Sequence, residues 1–187
     1  MATQRDLFGE TPVIPGLFVV QDAIDTRMEA ELAARIDAAR LEPFKFGQWT
    51  GKRLTAHYGS GYDYQRGRTT AAPPLPDWLR DLREKLAALA GMEPTALQQA
   101  LLIRYDPGAG IGWHRDRPQY GEVLGLSLGA PATMRFRRRM EGGFERRKIP
   151  LAPRALYRLS GEARQGWEHS IAPMEEIRRS ITFRTLA

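Results

Sequence analysis

Cysteine is absent from the 187-residue chain, which removes disulfides, thiolate zinc sites and thiol nucleophiles from consideration together. Histidine is scarce, at three residues, so any metal has to be held by those few imidazoles or by Asp and Glu. No run of about 18 apolar residues occurs, and the start MATQRDLFGE has no apolar core behind a positive flank. A cytoplasmic protein with no membrane association, working as a monomer, is therefore expected. Internal repeats and low-complexity tracts are missing too. What is there, 42% hydrophobic and 27% charged residues, suits one globular domain over residues 13–187, with residues 1–12 a loose extension.

Basic residues exceed acidic ones by 28 to 22, a net of +6, and a polyanionic partner such as DNA or RNA fits that balance. The excess is local. Residues 133–160 hold nine cations, among them Arg137, Arg138 and Arg139, against Glu141 and Glu145, a net of +7. A solvated basic hairpin and a phosphate-contacting surface are both compatible with this run.

Thr26 followed by Glu29 reads as a capping box, with Met28, Leu32 and Ile36 on one face of a helix over about 26–40. Asp77 can cap a second helix whose Trp78, Leu82, Leu86 and Leu89 form a stripe ended by Gly91. Beyond Gly91 the apolar period falls from helical to two. Segments 100–105, 123–129, 134–137, 155–159 and 180–184 read as strands, and Glu141-Gly142-Gly143 as a hairpin turn. Two helices ahead of many short strands imply an α+β domain with a C-terminal sandwich or barrel.

Two histidines stand in suggestive places. His114 and Asp116 are separated by one residue, so on an extended strand both would project from one face. His169 has strand-like flanks 53 residues later. Two imidazoles and one carboxylate are the ligand set of non-haem Fe(II) oxygenases, which leaves three octahedral positions for an oxo acid and O2. A three-ligand zinc site and a metal-free structural cluster are the alternatives at this point. On the last strand Arg178, Ser180, Thr182 and Arg184 share a face. If that face is inward, two guanidiniums call for an anion between them, for example a dicarboxylate; an edge strand whose Arg residues face water is the alternative.

Arg104-Tyr105-Asp106-Pro107-Gly108, His114-Arg115-Asp116, His169, and Arg178 through Thr182-Phe183-Arg184, in this order, resemble the AlkB family of Fe(II)- and 2-oxoglutarate-dependent dioxygenases. Val123–Gly129 and Tyr58-Gly59-x-x-Tyr62-x-Tyr64 extend the resemblance over about 50–187. It implies a double-stranded β-helix, or jelly roll, with N-terminal helices packed on one face. The core would span about 97–187, with a substrate lid over about 44–76. It further implies iron held by His114, Asp116 and His169, and a distal 2-oxoglutarate carboxylate held by Arg178 and Tyr105. Ser180 would contact the co-substrate, and Arg184 would support its metal-proximal end.

The implied activity is oxidative removal of N-methyl groups from DNA or RNA bases, with O2 consumed and succinate released. His57, Tyr58, Tyr62 and Tyr64 would meet an extruded base, and Arg137, Arg138 and Arg139 its phosphates. The chain departs from repair members at Ile103 and Ser180, where Asn is common, and at Arg117-Pro118-Gln119, where acidic residues are common. Its Asp-Pro-Gly-Ala-Gly and Ser-Leu-Gly stretches look equally like members that act on transfer RNA. An oxygenase of the same chemistry acting on protein or a small molecule is the other alternative.

Overall fold

The computed structural model describes residues 13–46, 48–63 and 68–187, without the side chains of 46, 49, 60–63 and 68–71. The expected extension over 1–12, Tyr64, and the side chains of Trp49 and Tyr62 lie outside the described residues. The helices are α1 (Thr26–Ala38), α2 (Asp77–Ala90) and a short α3 (Gly161–Gln165). Before α2 come β1 (Leu17–Val20), β2 (Glu42–Phe46), β3 (Trp49–Tyr58), β4 (Ser60–Asp63) and β5 (Arg68–Ala71). After it come β6 (Leu97–Tyr105), β7 (Ile111–His114), β8 (Tyr120–Gly129), β9 (Ala132–Met140), β10 (Gly143–Leu151), β11 (Leu156–Leu159), β12 (Glu168–Ile171) and β13 (Arg178–Leu186).

The larger sheet runs β1-β11-β8-β13-β6-β3-β2 and the smaller β10-β9-β12-β7, with β4-β5 a separate ribbon. All recorded pairings are antiparallel. The sheets form the jelly roll that the family resemblance implied, with both long helices on one outer face.

Strand periodicity decides which side chains face which layer. Leu124, Leu126, Ile181, Phe183 and Leu102 turn outward to meet Leu32 and Ile36 of α1 and Leu79, Leu82 and Leu86 of α2. Burying each such side chain contributes about 1.5–3 kcal/mol. Val123, Tyr157 and Leu159 turn inward against Met134, Phe136, Ile149 and Leu151 of the smaller sheet. Between these apolar regions the inward face of β13 presents its polar row.

Three local expectations are corrected. The cap of α1 is Asp25, which accepts from the Met28 amide at 2.8 Å, rather than Thr26. Glu29 is thereby released for tertiary work: it accepts from the Gly129 amide at 2.9 Å and pairs with Arg154. In α2, Pro76 is the cap and Asp77 is the first helical residue. Its buried stripe is Leu79, Leu82, Leu86 and Ala90, while Leu89 is exposed. Gly91 ends the helix in the left-handed conformation, as expected, at φ 62°.

Asp37 of α1 fastens the helix to the sheet. It accepts from Arg179 of β13 at 2.8 Å and from Arg104 of β6 at 3.0 Å. These partners, led by the Arg179 hydrogen bond, hold its carboxyl below the usual 3.8. Asp37→Ala is expected to lower stability by about 1 kcal/mol, because water screens a carboxylate this exposed. That contribution should be complete above pH 4 and vanish as acid protonates the folded-state carboxyl. Urea midpoints of both proteins at pH 7 and pH 3 check it.

Candidate active site

Antiparallel pairing of β12 with β7 places His169 directly opposite His114. Asp116 lies just past the end of β7 rather than on it, a departure from the extended reading of 114–116. Pro118 follows and cannot donate to a ladder. The turn still delivers the carboxylate. Its Oδ1 lies 3.6 Å from His114 Nε2 and 3.9 Å from His169 Nε2, and one donor atom of each residue lies within 4.8 Å of the others. Such a set can converge on one ion.

Protonation suits that task. His114 Nδ1 lies 2.9 Å from the Gly112 carbonyl, so Nδ1 carries the proton and Nε2 keeps its lone pair for a metal. Burial, aided by His114, pushes His169 down to about 3 and keeps it neutral. Burial acts to raise Asp116, but Arg184, His114 and His169 outweigh it and hold the carboxyl well below 3.8. Arg184 does this directly, with Nε donating to Asp116 Oδ2 at 2.6 Å and Nη1 to Gln99 at 2.9 Å. The anion expected between two guanidiniums is therefore, for Arg184, a side chain of the protein.

Arg178 has no such partner. It is 1% exposed, its guanidinium carbon is 5.0 Å from the Tyr105 ring centroid, and its Nε and Nη1 are buried without a hydrogen bond. Register puts it against Tyr105 of β6 and Gly129 of β8. A buried, unpaired charge on this scale is costly unless a ligand compensates it. The orphaned fork fits a carboxylate, and the His-Asp-His donor set fits Fe(II).

Residues 26–184 match the family model of the 2OG-Fe(II) oxygenase superfamily. The chain belongs to this superfamily. Among curated relatives it is similar to the Arabidopsis thaliana alkylated DNA repair protein ALKBH8 homolog, 28% identical over 84% of this chain and 51% of the relative. The Xenopus tropicalis tRNA (carboxymethyluridine(34)-5-O)-methyltransferase alkbh8 is 32% identical over 85% of this chain and 25% of its own length. Human alpha-ketoglutarate-dependent dioxygenase alkB homolog 3 is 33% identical over 72% and 51%.

The chain thus spans about half or less of these relatives, and they place it among the AlkB-like oxygenases. In fold it is similar to OsALKBH1, with TM-score 0.67 and 14% identity over 91% of this chain and 96% of that one. A Pseudomonas putida prolyl-4-hydroxylase gives TM-score 0.62 at 18% identity over 92% and 93%. Membership of the 2OG-Fe(II) oxygenase superfamily, together with the His-Asp-His cluster, means that the protein takes Fe(II), 2-oxoglutarate and O2.

A cavity of about 1030 Å³ opens beside the cluster. His57 of β3 lines it, opposite Leu101 of β6 in register. Its Nδ1 is buried without a partner, and burial, then Arg184 and Arg53, push it down to about 4. Tyr58, adjacent on the strand, points the other way and packs against the helix-side core. The expectation that Tyr58 meets substrate is thus corrected by simple alternation. Within the segment expected as a lid, β3 pairs with β6 and β2 forms the edge of the larger sheet, while β4 and β5 stand apart as their own ribbon.

The basic run also looks different once folded. Arg137 pairs with Glu168 at 2.6 Å, and Arg138 with Glu145 at 2.6 Å and Glu162 at 2.7 Å. Arg154 meets Asp22 and Glu29, and Arg158 meets Glu122. A count over 133–160 includes Glu145 but omits Asp22, Glu29, Glu122, Glu162 and Glu168, which lie outside that stretch. Among the described residues, Arg139, Arg146 and Lys148 of the β9–β10 hairpin have no ion-pair partner, and Arg139 and Arg146 flank the Phe144 ring. Trp113 lines the cavity under the Arg137 guanidinium, 4.6 Å away, whereas Trp167 is buried between the sheets.

Proposed function

We propose that the enzyme oxidatively removes N-methyl and other small N-alkyl groups from nucleic-acid bases, with His114, Asp116 and His169 as iron ligands. The observation that carries this reading is the charge of the cavity wall. Arg53, Arg115, Arg117, Arg164 and Arg184 line it against two carboxylates, Asp116 and Glu122. Both carboxylates are already engaged, by Arg184 and Arg158. A polyanion is attracted to such a mouth, and the relatives include a DNA repair protein by name.

Iron, 2-oxoglutarate and O2 together supply C–H hydroxylation coupled to release of succinate and CO2, and a hydroxymethyl group on a base nitrogen then leaves as formaldehyde. The protein's part is positioning. Arg178 and Tyr105 hold the distal carboxylate, with Ser180 beside them on the same face of β13. Arg184 keeps Asp116 ionised and oriented toward the ion. An extruded base meets His57, a neutral imidazole, on the wall formed by β3. The β4–β5 ribbon, which carries Tyr62, serves as the lid.

Transfer RNA is a second reading, favoured by the tRNA-modifying relative and by Arg117-Pro118 following the ligand Asp116. We place the enzyme in the cytoplasm, a reducing compartment that keeps iron in the ferrous state; among the described residues no helix is long and apolar enough to cross a membrane.

The test is purified protein with Fe(II), 2-oxoglutarate and a panel of N-methylated DNA, RNA and tRNA oligomers, read by mass spectrometry. Loss of 14 mass units per methyl group, about one CH2, with equimolar succinate is expected for at least one nucleic acid. Hydroxylation confined to peptides or metabolites would overturn the reading. In the same system Arg115→Gln should weaken oligonucleotide binding and flatten its log–log salt slope by about 0.7 on single strands. An unchanged slope removes Arg115 from phosphate contact.

A further inference from the structure

Tyr157 of β11 is buried and stands on the inward face, its body packed with Val123, Met134 and Phe136. Opposite it in register is Gly125 of β8, which is itself opposite Thr182 of β13. A Cβ on Gly125 would fall inside the phenol, against Cζ and Oη. The missing side chain of Gly125 is therefore the space through which Tyr157 reaches over β8 toward β13. Among the described residues its hydroxyl makes no hydrogen bond.

Burial pushes it up to about 12, and the groups that act on it through space are Arg178 first, then Tyr105, Asp116 and Arg184. Its tip thus faces the co-substrate row from the side opposite β6. Ser127, two residues along β8 on the same face, also has a buried, unpartnered hydroxyl. Across β13, Ile103 is opposite Ser180 and offers only hydrocarbon.

We infer that Tyr157 is a co-substrate-positioning residue whose hydroxyl donates to the distal carboxylate of 2-oxoglutarate, on the flank of Arg178 opposite Tyr105. A carboxylate has about four acceptor sites. The Arg178 fork fills two of them, Tyr105 of β6 takes a third, and Tyr157 of β11 supplies the donor for the last. Gly125 is the enabling partner: it sets the reach of the phenol and thereby the length of the pocket. This assignment rests on Arg178 holding that same carboxylate.

Binding to Mn(II)-loaded protein, measured by calorimetry without O2 turnover, separates the two roles. Tyr157→Phe keeps the ring in its apolar seat and removes only the donor, so the thermal midpoint without oxo acid should be unchanged. Its Kd for 2-oxoglutarate should rise about tenfold, as for loss of one hydrogen bond to a charged group. Its Kd for 2-oxobutyrate, which has the same metal-binding end and no distal carboxylate, should match wild type. An unchanged Kd for 2-oxoglutarate, or equal weakening for both acids, overturns the role of Tyr157. Arg178→Lys in parallel keeps the failures distinct: weakening specific to 2-oxoglutarate there, with none in Tyr157→Phe, preserves the pocket and discards only the tyrosine. If wild type binds both acids equally well, no distal-carboxylate site exists and both assignments fall.

Discussion

Alanine at His114 or His169 is expected to reduce succinate formation below detection and to leave the fold stable, whereas Asp116→Ala should abolish turnover and also destabilise the protein. All three would remove a proposed ligand, and two remaining donors hold Fe(II) poorly against water. The difference lies in what each side chain does without metal. Neither imidazole is the partner of a buried guanidinium, so their loss leaves a small gap and no unpaired buried charge. Asp116 is the anionic partner of a buried guanidinium, Arg184. Removing one member of such a pair costs about 3–5 kcal/mol. Iron content, succinate release and urea midpoints check the set together. Retained iron and turnover in the three variants would place the metal centre elsewhere, and an Asp116→Ala midpoint equal to that of His114→Ala would show that Arg184 finds another partner.

Arg178→Met should act on stability and on binding in opposite directions. The wild-type side chain is an unpaired buried charge, so a flexible apolar chain of similar length is expected to raise the thermal midpoint of the protein without 2-oxoglutarate. The same change deletes the carboxylate fork. Wild-type protein loaded with Mn(II) should gain about 2.7 kcal/mol from 2-oxoglutarate at one hundred times its Kd. That gain corresponds to about 5–10 °C for a chain of this size. The variant should gain almost nothing at that concentration. Thermal scans with and without the oxo acid read both effects. A variant that is less stable alone and still shifted by 2-oxoglutarate would mean that Arg178 supports the fold and not the ligand.

Much of the site was legible because its residue types are rare and its strands obey a period of two. With three histidines in the chain, a His-x-Asp pair and a later strand histidine leave few arrangements, and the Arg178–Arg184 row follows from alternation alone. Alternation also separates His57 from Tyr58, a distinction that reading the aromatics as one cluster hides. Tyr157 was not legible as a site residue, since an aromatic in a short apolar strand reads as core. Its role depends on the glycine opposite it on a neighbouring strand, 32 positions away in the chain. The charge of residues 133–160 was only partly legible for a related reason: Glu162 and Glu168 lie just outside the window, and Asp22, Glu29 and Glu122 far outside it. The turn after β7 that carries Asp116 is closed locally by Tyr120 N–H to the Arg117 carbonyl and held by Arg164 from a distant segment, a support that no local pattern announces.

The Asp37 clamp has a consequence for the opposite side of the sheet. Arg104 and Arg179, which it grips from solvent, immediately neighbour Tyr105 and Arg178, and successive residues on a strand project to opposite faces. One carboxylate on the first helix therefore acts as a spacer gauge for β6 and β13, fixing from outside the separation between the aromatic ring and the guanidinium within. Residues of α1 that never approach the metal thus gain leverage over how firmly the enzyme grips its oxo acid, and changes there can retune co-substrate affinity while the reacting groups stay untouched.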